Sequence, residues 1–324
     1  MPPTVRPDSG LATRSRWRFG RAAERCQGAG ARVGALRPPR RYEGTRELQR
    51  SESIGRPMTD VDCMSTSPVD AAQRSVVVSI VSHRHGADVL DLLRDLARYA
   101  HSSVRRIVLT LNLPEPELEA EAAVACSGIE LCIRRNVHPL GFGANHNAAF
   151  RACESVRYFA VLNPDVRLHA DPFPELCHAL DRAPRAACAY PRQVDAAGQA
   201  CNPPRPVPTP LNLLRRYVGP GERSAADWVN AACMLFDADA YAKLGGFDAA
   251  YRLYCEDVDI CLRLQLAGYE LVGAEDASIV HTGRRSSHAH VLQLLRHVRS
   301  LLRLWGSGTL WRYRRWVRGA ARNV

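Results

Sequence analysis

Residues 75–82 read Ser-Val-Val-Val-Ser-Ile-Val-Ser. A β-branched run with no polar face cannot leave one side in water, so it must form a strand covered on both faces. Helices have to lie above and below it. Residues 87–99 supply the first, with Val89, Leu92, Leu93 and Leu96 at helical spacing. The pattern then repeats. Residues 105–112 (RRIVLTLN) and 129–135 (IELCIRR) read as strands, 141–153 open on glycines and become a helix, and 158–163 (YFAVLN) read as a fourth strand. Buried strands alternating with helices predict the α/β class and a mostly parallel, Rossmann-like sheet flanked by helices.

The second half is less regular. Residues 201–221 are rich in proline and glycine and read as a loop or flap. Residues 227–248 read as a strand and a short helix that stops at Gly245-Gly246. Residues 253–270 read as a helix with acids at its start and Gly268 at its end, and 270–281 as a last strand. The tail, 288–318, carries Leu292, Leu295, Val298, Leu301, Leu302 and Leu304 among arginines.

Charge divides the chain into three. Residues 1–57 hold 13 arginines against 5 acids, and residues 284–324 hold 10 arginines and no acid. The stretch between them therefore carries −7 of the overall +11. An acidic body argues against nucleic acid as the partner of the folded part. Residues 1–70 lack periodicity and read as a disordered basic segment, either a tail, a targeting peptide or sequence ahead of a start at Met58 or Met64. Residues 71–285 form the predicted folded domain, and 286–324 a basic, amphipathic helical extension. Eleven scattered cysteines with no C-x-x-C pair suggest reduced core thiols and a cytoplasmic protein. No run approaches the length of a membrane span, and no apolar segment opens the chain as a secretory signal would.

Four places could carry chemistry. Asn163-Pro164-Asp165 ends the fourth strand, and ligands of open α/β sheets bind beyond the carboxyl ends of their strands. Asp165 there is either part of a turn or a hard oxygen ligand for a divalent cation. Glu256, Asp257 and Asp259 open a helix, which suits its dipole, and Asp259 can pair with Arg263 one turn on. Glu256 and Asp257 are flanked by Leu253, Tyr254, Cys255, Val258 and Ile260, however. Crowded, half-buried carboxyls hold a raised pKa, as a general base needs. His281 ends the last strand, either as a polar cap or as a second metal ligand, and Arg284 and Arg285 after it could meet phosphate. The stretch GFGANHNAA, 141–149, permits close backbone approach but lacks the dinucleotide-binding glycine spacing.

Taken in order, VVVSIVSH, NVHPLGFGANHNAA, LNPDV and GGFDAAYRLYCEDVDICLRLQLAGY resemble the family-2 glycosyltransferases of the GT-A fold, in their rhamnosyltransferase-like branch. DWVNAACML and IVHTGRRSS support the resemblance, which covers residues 75–283. It implies an inverting transfer of rhamnose or another deoxyhexose from a nucleotide-diphosphate donor to a glycan or lipid-linked acceptor in cell-surface polysaccharide synthesis. It implies that Asp165 and His281 hold Mg²⁺ or Mn²⁺, and that Asp257 is the base, with Glu256 as its neighbour. The donor would meet Ser82, Asn112, Asn136, Gly141, Phe142, Asn145, Asn147, Asn163, Asp165 and Arg284, and the acceptor Trp228 and Asn230. Three departures stand out: Leu111 where an acid is common, Ala231 where glycine is usual, and Ser82-His83-Arg84-His85 in place of an aromatic residue and an asparagine. They leave open a catalytically weak nucleotide-sugar-binding paralogue. The arginines and leucines of the tail, with Trp305, Trp311, Tyr313 and Trp316, suit either peripheral contact with an anionic membrane or packing on the catalytic domain.

Overall fold

The computed structural model describes residues 61–64, 75–218, 227–281 and 290–320, leaving aside the side chains of 61–64, 215–218, 290–292 and 320. In chain order the elements are β1 (Val61–Met64), β2 (Val76–Ser82), α1 (Gly86–Tyr99), β3 (Val104–Leu111), α2 (Pro116–Ala125), β4 (Glu130–Arg135), α3 (Phe142–Arg151), β5 (Tyr158–Leu162), β6 (Val166–Arg167) and α4 (Phe173–Arg182). They continue with β7 (Ala186–Val194), β8 (Ala200–Cys201), α5 (Pro210–Val218), β9 (Cys233–Asp237), α6 (Ala238–Leu244), α7 (Glu256–Leu266), β10 (Glu270–His281), α8 (His290–Gly306) and α9 (Gly308–Ala320).

All seven residues of β2 are buried, as the two-sided run requires. Val76, Val78 and Ile80 join Val89, Leu92, Leu93 and Leu96 of α1, Leu118 of α2 and Phe173 of α4 on one face. Val77 joins Ala149 of α3, Tyr241 of α6 and Ile260 of α7 on the other. The side-chain period of two thus splits one strand between two cores.

The sheet order is β1-β4-β3-β2-β5-β9-β7-β10-β6, with β8 beside β7. The parallel pairing predicted from the sequence forms the block β4-β3-β2-β5. Beyond it the sheet is mixed. β9 runs antiparallel to β5 and β7, β10 runs parallel to β7, and β6 runs antiparallel to β10. Reversing β9 brings its first residue, Cys233, opposite Leu162 at the end of β5. Residues 230–232 therefore sit at the same edge as the carboxyl ends of the parallel strands.

Four expectations need correction. β1 lies within the segment expected to be disordered and pairs antiparallel with β4, while the rest of 1–70 is outside the described residues. Cys132 is disulfide-bonded, so reduced thiols throughout do not hold. The proline-rich stretch carries α5 as well as loop, because Pro210 is tolerated at a helix start. The tail is two helices, broken where Ser307 Oγ accepts from the Leu310 N–H as an N-cap.

The α8–α9 pair docks on the outer side of α7. Leu301, Leu304, Leu310 and Tyr313 pack with Tyr251, Cys255, Val258 and Leu262. The Tyr313 hydroxyl donates to Asp227 and Gln265, and the Trp305 indole N–H to the Pro208 carbonyl. The tail thus braces the helix that begins with the acid pair.

Candidate active site

The edge is assembled by pairing. Ser82 lies opposite Leu111, and Leu111 opposite Arg135, so Ser82, Asn112 and Asn136 line up at the strand ends. The short pair β6–β10 sets His281 opposite Val166 and so brings the imidazole to Asp165. Asp165 Oδ2 and His281 Nε2 are 3.4 Å apart. Burial works to raise the Asp165 carboxyl, but the hydrogen bond and charge of His281 outweigh it, and the group titrates below its ordinary range.

Asp257 reaches the same edge from the other face. Its carboxylate accepts from the Ala231 N–H and, through Oδ1, from the Val258 N–H at 2.8 Å. Asn163, two residues before Asp165, donates its backbone N–H to the Ala232 carbonyl at 2.9 Å. Residues 231–232 therefore bond to Asp257 itself and to the residue two before Asp165. Arg205, bridged to Trp228 by backbone hydrogen bonds, brings its charge near Asp257.

The acid pair has an opposite environment to Asp165. Glu256 is buried, and its Oε2 has no hydrogen-bond partner. Burial first, then the charge of Asp257, raises the Glu256 carboxyl. Burial also raises Asp257, against the pull of its backbone donors and Arg205. The two carboxyls share one buried site, so the pair holds on to a proton above the ordinary carboxylate range. Tyr254 and Cys255 before them both have left-handed backbones, at φ of 72° and 65°. Two such residues in succession, neither a glycine, store strain at the helix start. Asp259 plays a structural part: it holds Arg263 at 2.6 Å, and Arg263 donates to the Leu244 and Gly246 carbonyls.

The expected donor residues separate into two groups. Asn112 is a hub: its Oδ1 accepts from Asn136 Nδ2 and the Leu140 N–H, and its Nδ2 donates to the Leu140 carbonyl and faces His83 Nδ1. Asn145 Oδ1 accepts from Asn136 at 2.6 Å and so fixes it. Ser82 is buried and accepts from the His85 N–H. Asn147, by contrast, spends its amide on the Phe247 backbone and the Tyr241 hydroxyl. That clamps the turn at Gly246, whose φ is +68° and where a Cβ would meet Asn147 Oδ1 at 2.2 Å. Gly141 and Phe142 are also structural, the one against the Arg252 backbone, the other against His146 and Phe247. Trp228 donates its indole N–H to Pro206 and stacks under Arg205. Asn230 pairs with Gln193. Arg284 lies outside the described residues.

Sequence reasoning missed Gln193, Asn202 and Arg205. Gln193 Oε1 lies 3.2 Å from His281 Nδ1, and Asn202 accepts from Arg205 at 2.8 Å. Gln193 is a polar residue near the carboxyl end of β7, so the rule that selects Asp165 also selects it.

Among the described residues no three His, Cys, Asp or Glu side chains gather as a metal cage. Asp165 and His281 offer one oxygen and one nitrogen at adjacent positions, a donor set that fits a divalent cation sharing its shell with substrate phosphates. A cavity of about 550 Å³ between α1 and α2, lined by Arg94, Arg98 and Glu121, holds none of these residues.

The model of the family described as "Glycosyltransferase like family 2" matches residues 72–300. The chain belongs to glycosyltransferase family 2. This family-2 chain is 30% identical over 140 residues to the N-acetylglucosaminyl-diphospho-decaprenol L-rhamnosyltransferase of Mycobacterium tuberculosis, over 37% of its own length and 45% of that protein's. It is 32% identical over 81 residues to the rhamnosyltransferase WbbL of Escherichia coli, covering 25% and 31%. It thus spans under half the length of these curated relatives. Among solved structures, S. aureus TarS 1–349 with UDP-GlcNAc superposes with a TM-score of 0.52 at 13% identity, over 67% and 60% of the two chains. GalNAc-T7 with UDP, GalNAc and Mn²⁺ gives 0.51 at 13%, over 65% and 44%. At such identities the superpositions bear out the GT-A fold alone.

Proposed function

We propose that this chain is an inverting glycosyltransferase that moves rhamnose, or another deoxyhexose, from a nucleotide-diphosphate donor to a hydroxyl of a glycan or lipid-linked acceptor in cell-surface polysaccharide synthesis. The observation that carries it is the edge itself: a low-pKa aspartate beside an imidazole, two residues after a bond to Ala232, and a raised-pKa acid pair bonded to Ala231. The two relatives, named for rhamnosyl transfer, support the choice of sugar.

Asp257 accepts the proton of the acceptor hydroxyl. The freed oxygen attacks the anomeric carbon from the side opposite the diphosphate. The bond from that carbon to the phosphate oxygen breaks, its electron pair leaves on the diphosphate, and configuration inverts. Asp165 and His281 would hold Mg²⁺ or Mn²⁺, which neutralises the departing diphosphate when bound. The Asn112, Asn136 and Asn145 network holds the donor side rigid, and Trp228 and Asn230 flank the acceptor side. Glu256 keeps its proton and adds no second charge to the base.

A second reading, a catalytically weak nucleotide-sugar-binding paralogue, draws on Leu111, which is buried in the core where the family commonly has an acid. Screening nucleotide-sugars for Mn²⁺-dependent release of nucleoside diphosphate, with a hydroxyl acceptor present, decides between them. The first reading predicts turnover with at least one donor; binding without turnover supports the second.

The reading includes work at the cytoplasmic face of the membrane. No described helix is long and apolar enough to cross a bilayer. Leu294, Leu295, Val298 and Leu302 of α8 and Trp311 and Trp316 of α9 are exposed, on a segment with no acid. Apolar side chains among arginines suit the interface of an anionic bilayer. The pair Leu294→Glu and Leu302→Glu should lower binding to phosphatidylglycerol vesicles by about 10-fold or more. Unchanged sedimentation with those vesicles would remove the membrane from the account.

A further inference from the structure

We infer that Gln193 is a positioning residue that aims His281 Nε2 at the cation, as the middle of a relay that starts on the backbone of Ala232. The inference rests on the proposed metal role of Asp165 and His281.

The relay can be read from its fixed end. The Ala232 N–H can only donate, and it meets Asn230 Oδ1 at 3.3 Å. That orients the Asn230 amide, with its oxygen on the Ala232 side. The same oxygen accepts from Gln193 Nε2, and Asn230 Nδ2 returns a bond to Gln193 Oε1 at 3.2 Å. The Gln193 amide is therefore oriented as well, with its oxygen left to face His281 Nδ1 at 3.2 Å. An amide oxygen only accepts, so Nδ1 carries the hydrogen. Nε2 is then the nitrogen left to take a cation, on the side of Asp165 Oδ2, 3.4 Å away. Which histidine nitrogen binds a metal is set by the bond that the other makes.

Asn202 is the competing neighbour. Its Nδ2 lies 3.5 Å from the same His281 nitrogen, and its Oδ1 is held by Arg205. A bond from Asn202 would require the opposite tautomer, with the hydrogen on Nε2. That contact is at the outer limit of hydrogen bonding, and Gln193 is the nearer partner. Gln193 is also nearly buried, so its amide is held in this arrangement and not exchanged with solvent.

The test is Mn²⁺ alone, titrated against the purified chain and read by water-proton relaxation. Gln193→Met keeps the shape and removes the acceptor oxygen. It should weaken Mn²⁺ binding about 10–100-fold, the cost of losing an outer partner of a metal-bound histidine. Gln193→Glu keeps an oxygen facing Nδ1 and should bind within a few-fold of wild type. Asn202→Ala should leave the affinity unchanged. Melting of the metal-free variants checks that none is unfolded, and a merely structural role would hurt Met and Glu alike. Gln193→Met binding as wild type does, while Asp165→Asn binds weakly, would overturn the relay and leave the metal site standing. Asp165→Asn binding as wild type does would overturn the metal assignment and the relay together. Tighter Mn²⁺ binding in Asn202→Ala, with Gln193→Met unchanged, would give the tautomer to Asn202 and overturn the role of Gln193.

Discussion

At one end of the sheet edge, Asp165 sits beside an imidazole and titrates below the ordinary carboxylate range. At the other, Asp257 sits beside a second carboxyl and titrates above it. The residue type is the same, and residues 231–232 bond to Asp257 itself and to Asn163, two residues before Asp165. What differs is the neighbour. A hydrogen-bonding imidazole favours the charged form of Asp165, whereas at Asp257 burial outweighs the backbone donors and the charge of Arg205. Titratable groups whose surroundings push them apart mark a division of acid and base work. The low one is a permanent anion suited to a cation, and the raised one is a base that can take and return a proton near neutrality.

The largest effect should come from the raised end. Asp257→Asn should lower the transfer rate about 10²–10⁴-fold, the usual worth of a general base. Turnover at wild-type rate would break the comparison outright. At the low end, Asp165→Asn should weaken Mn²⁺ binding by about 10-fold or more in the relaxation titration. Wild-type affinity in that variant would leave the two aspartates without distinct roles.

Two smaller effects sharpen the contrast through pH. Transfer requires ionised Asp257, and burial raises that group. The rate should therefore climb with pH along a limb lying above the ordinary carboxylate range. With Asp257 proposed as the group that ionises first, Glu256→Gln should leave the limb in place. A limb that moves down in that variant would mean that the pair shares its charge differently. The last effect is on stability. The folded-state pKa of Glu256 is raised above its ordinary 4.5, so the folded chain holds a proton that the unfolded chain releases. Stability is then lost as pH rises from that ordinary value towards the raised one. Glu256→Gln should melt no higher than wild type in acid and progressively higher towards alkaline pH, by about 2–4 °C for each kcal/mol of relief. A gain that does not grow with pH would show that Glu256 is not strained by its burial.

Local pattern made much of the fold legible. The run 75–82 had to be a strand covered on both sides, and the structure buries all seven residues of β2. The last strand was read as 270–281, and β10 has those bounds. Periodicity decides such segments because each needs only its own side chains. Pairing is different. That β9 enters antiparallel between β5 and β7 depends on partners 46 to 79 residues away, and no local period encodes it. The same limit hid Gln193 and Arg205, whose meaning comes from neighbours brought in by the sheet and by the proline-rich stretch. Asn147 erred the other way. An asparagine among glycines reads like a ligand contact, but an amide that satisfies a buried turn has the same local appearance. The place of Asp165 beyond a strand end and the burial of the Glu256–Asp257 pair were legible because a strand end and an apolar flank are both local signals.

The most direct test of the division of labour is donor binding by calorimetry with Mn²⁺ present, run in parallel on Asp257→Asn and Asp165→Asn with a nucleotide-sugar that the wild type turns over. Asp257→Asn should bind the donor as wild type does, and Asp165→Asn should lose most of the Mn²⁺-dependent part. Equal losses in both variants, or a loss confined to Asp257→Asn, would contradict the account.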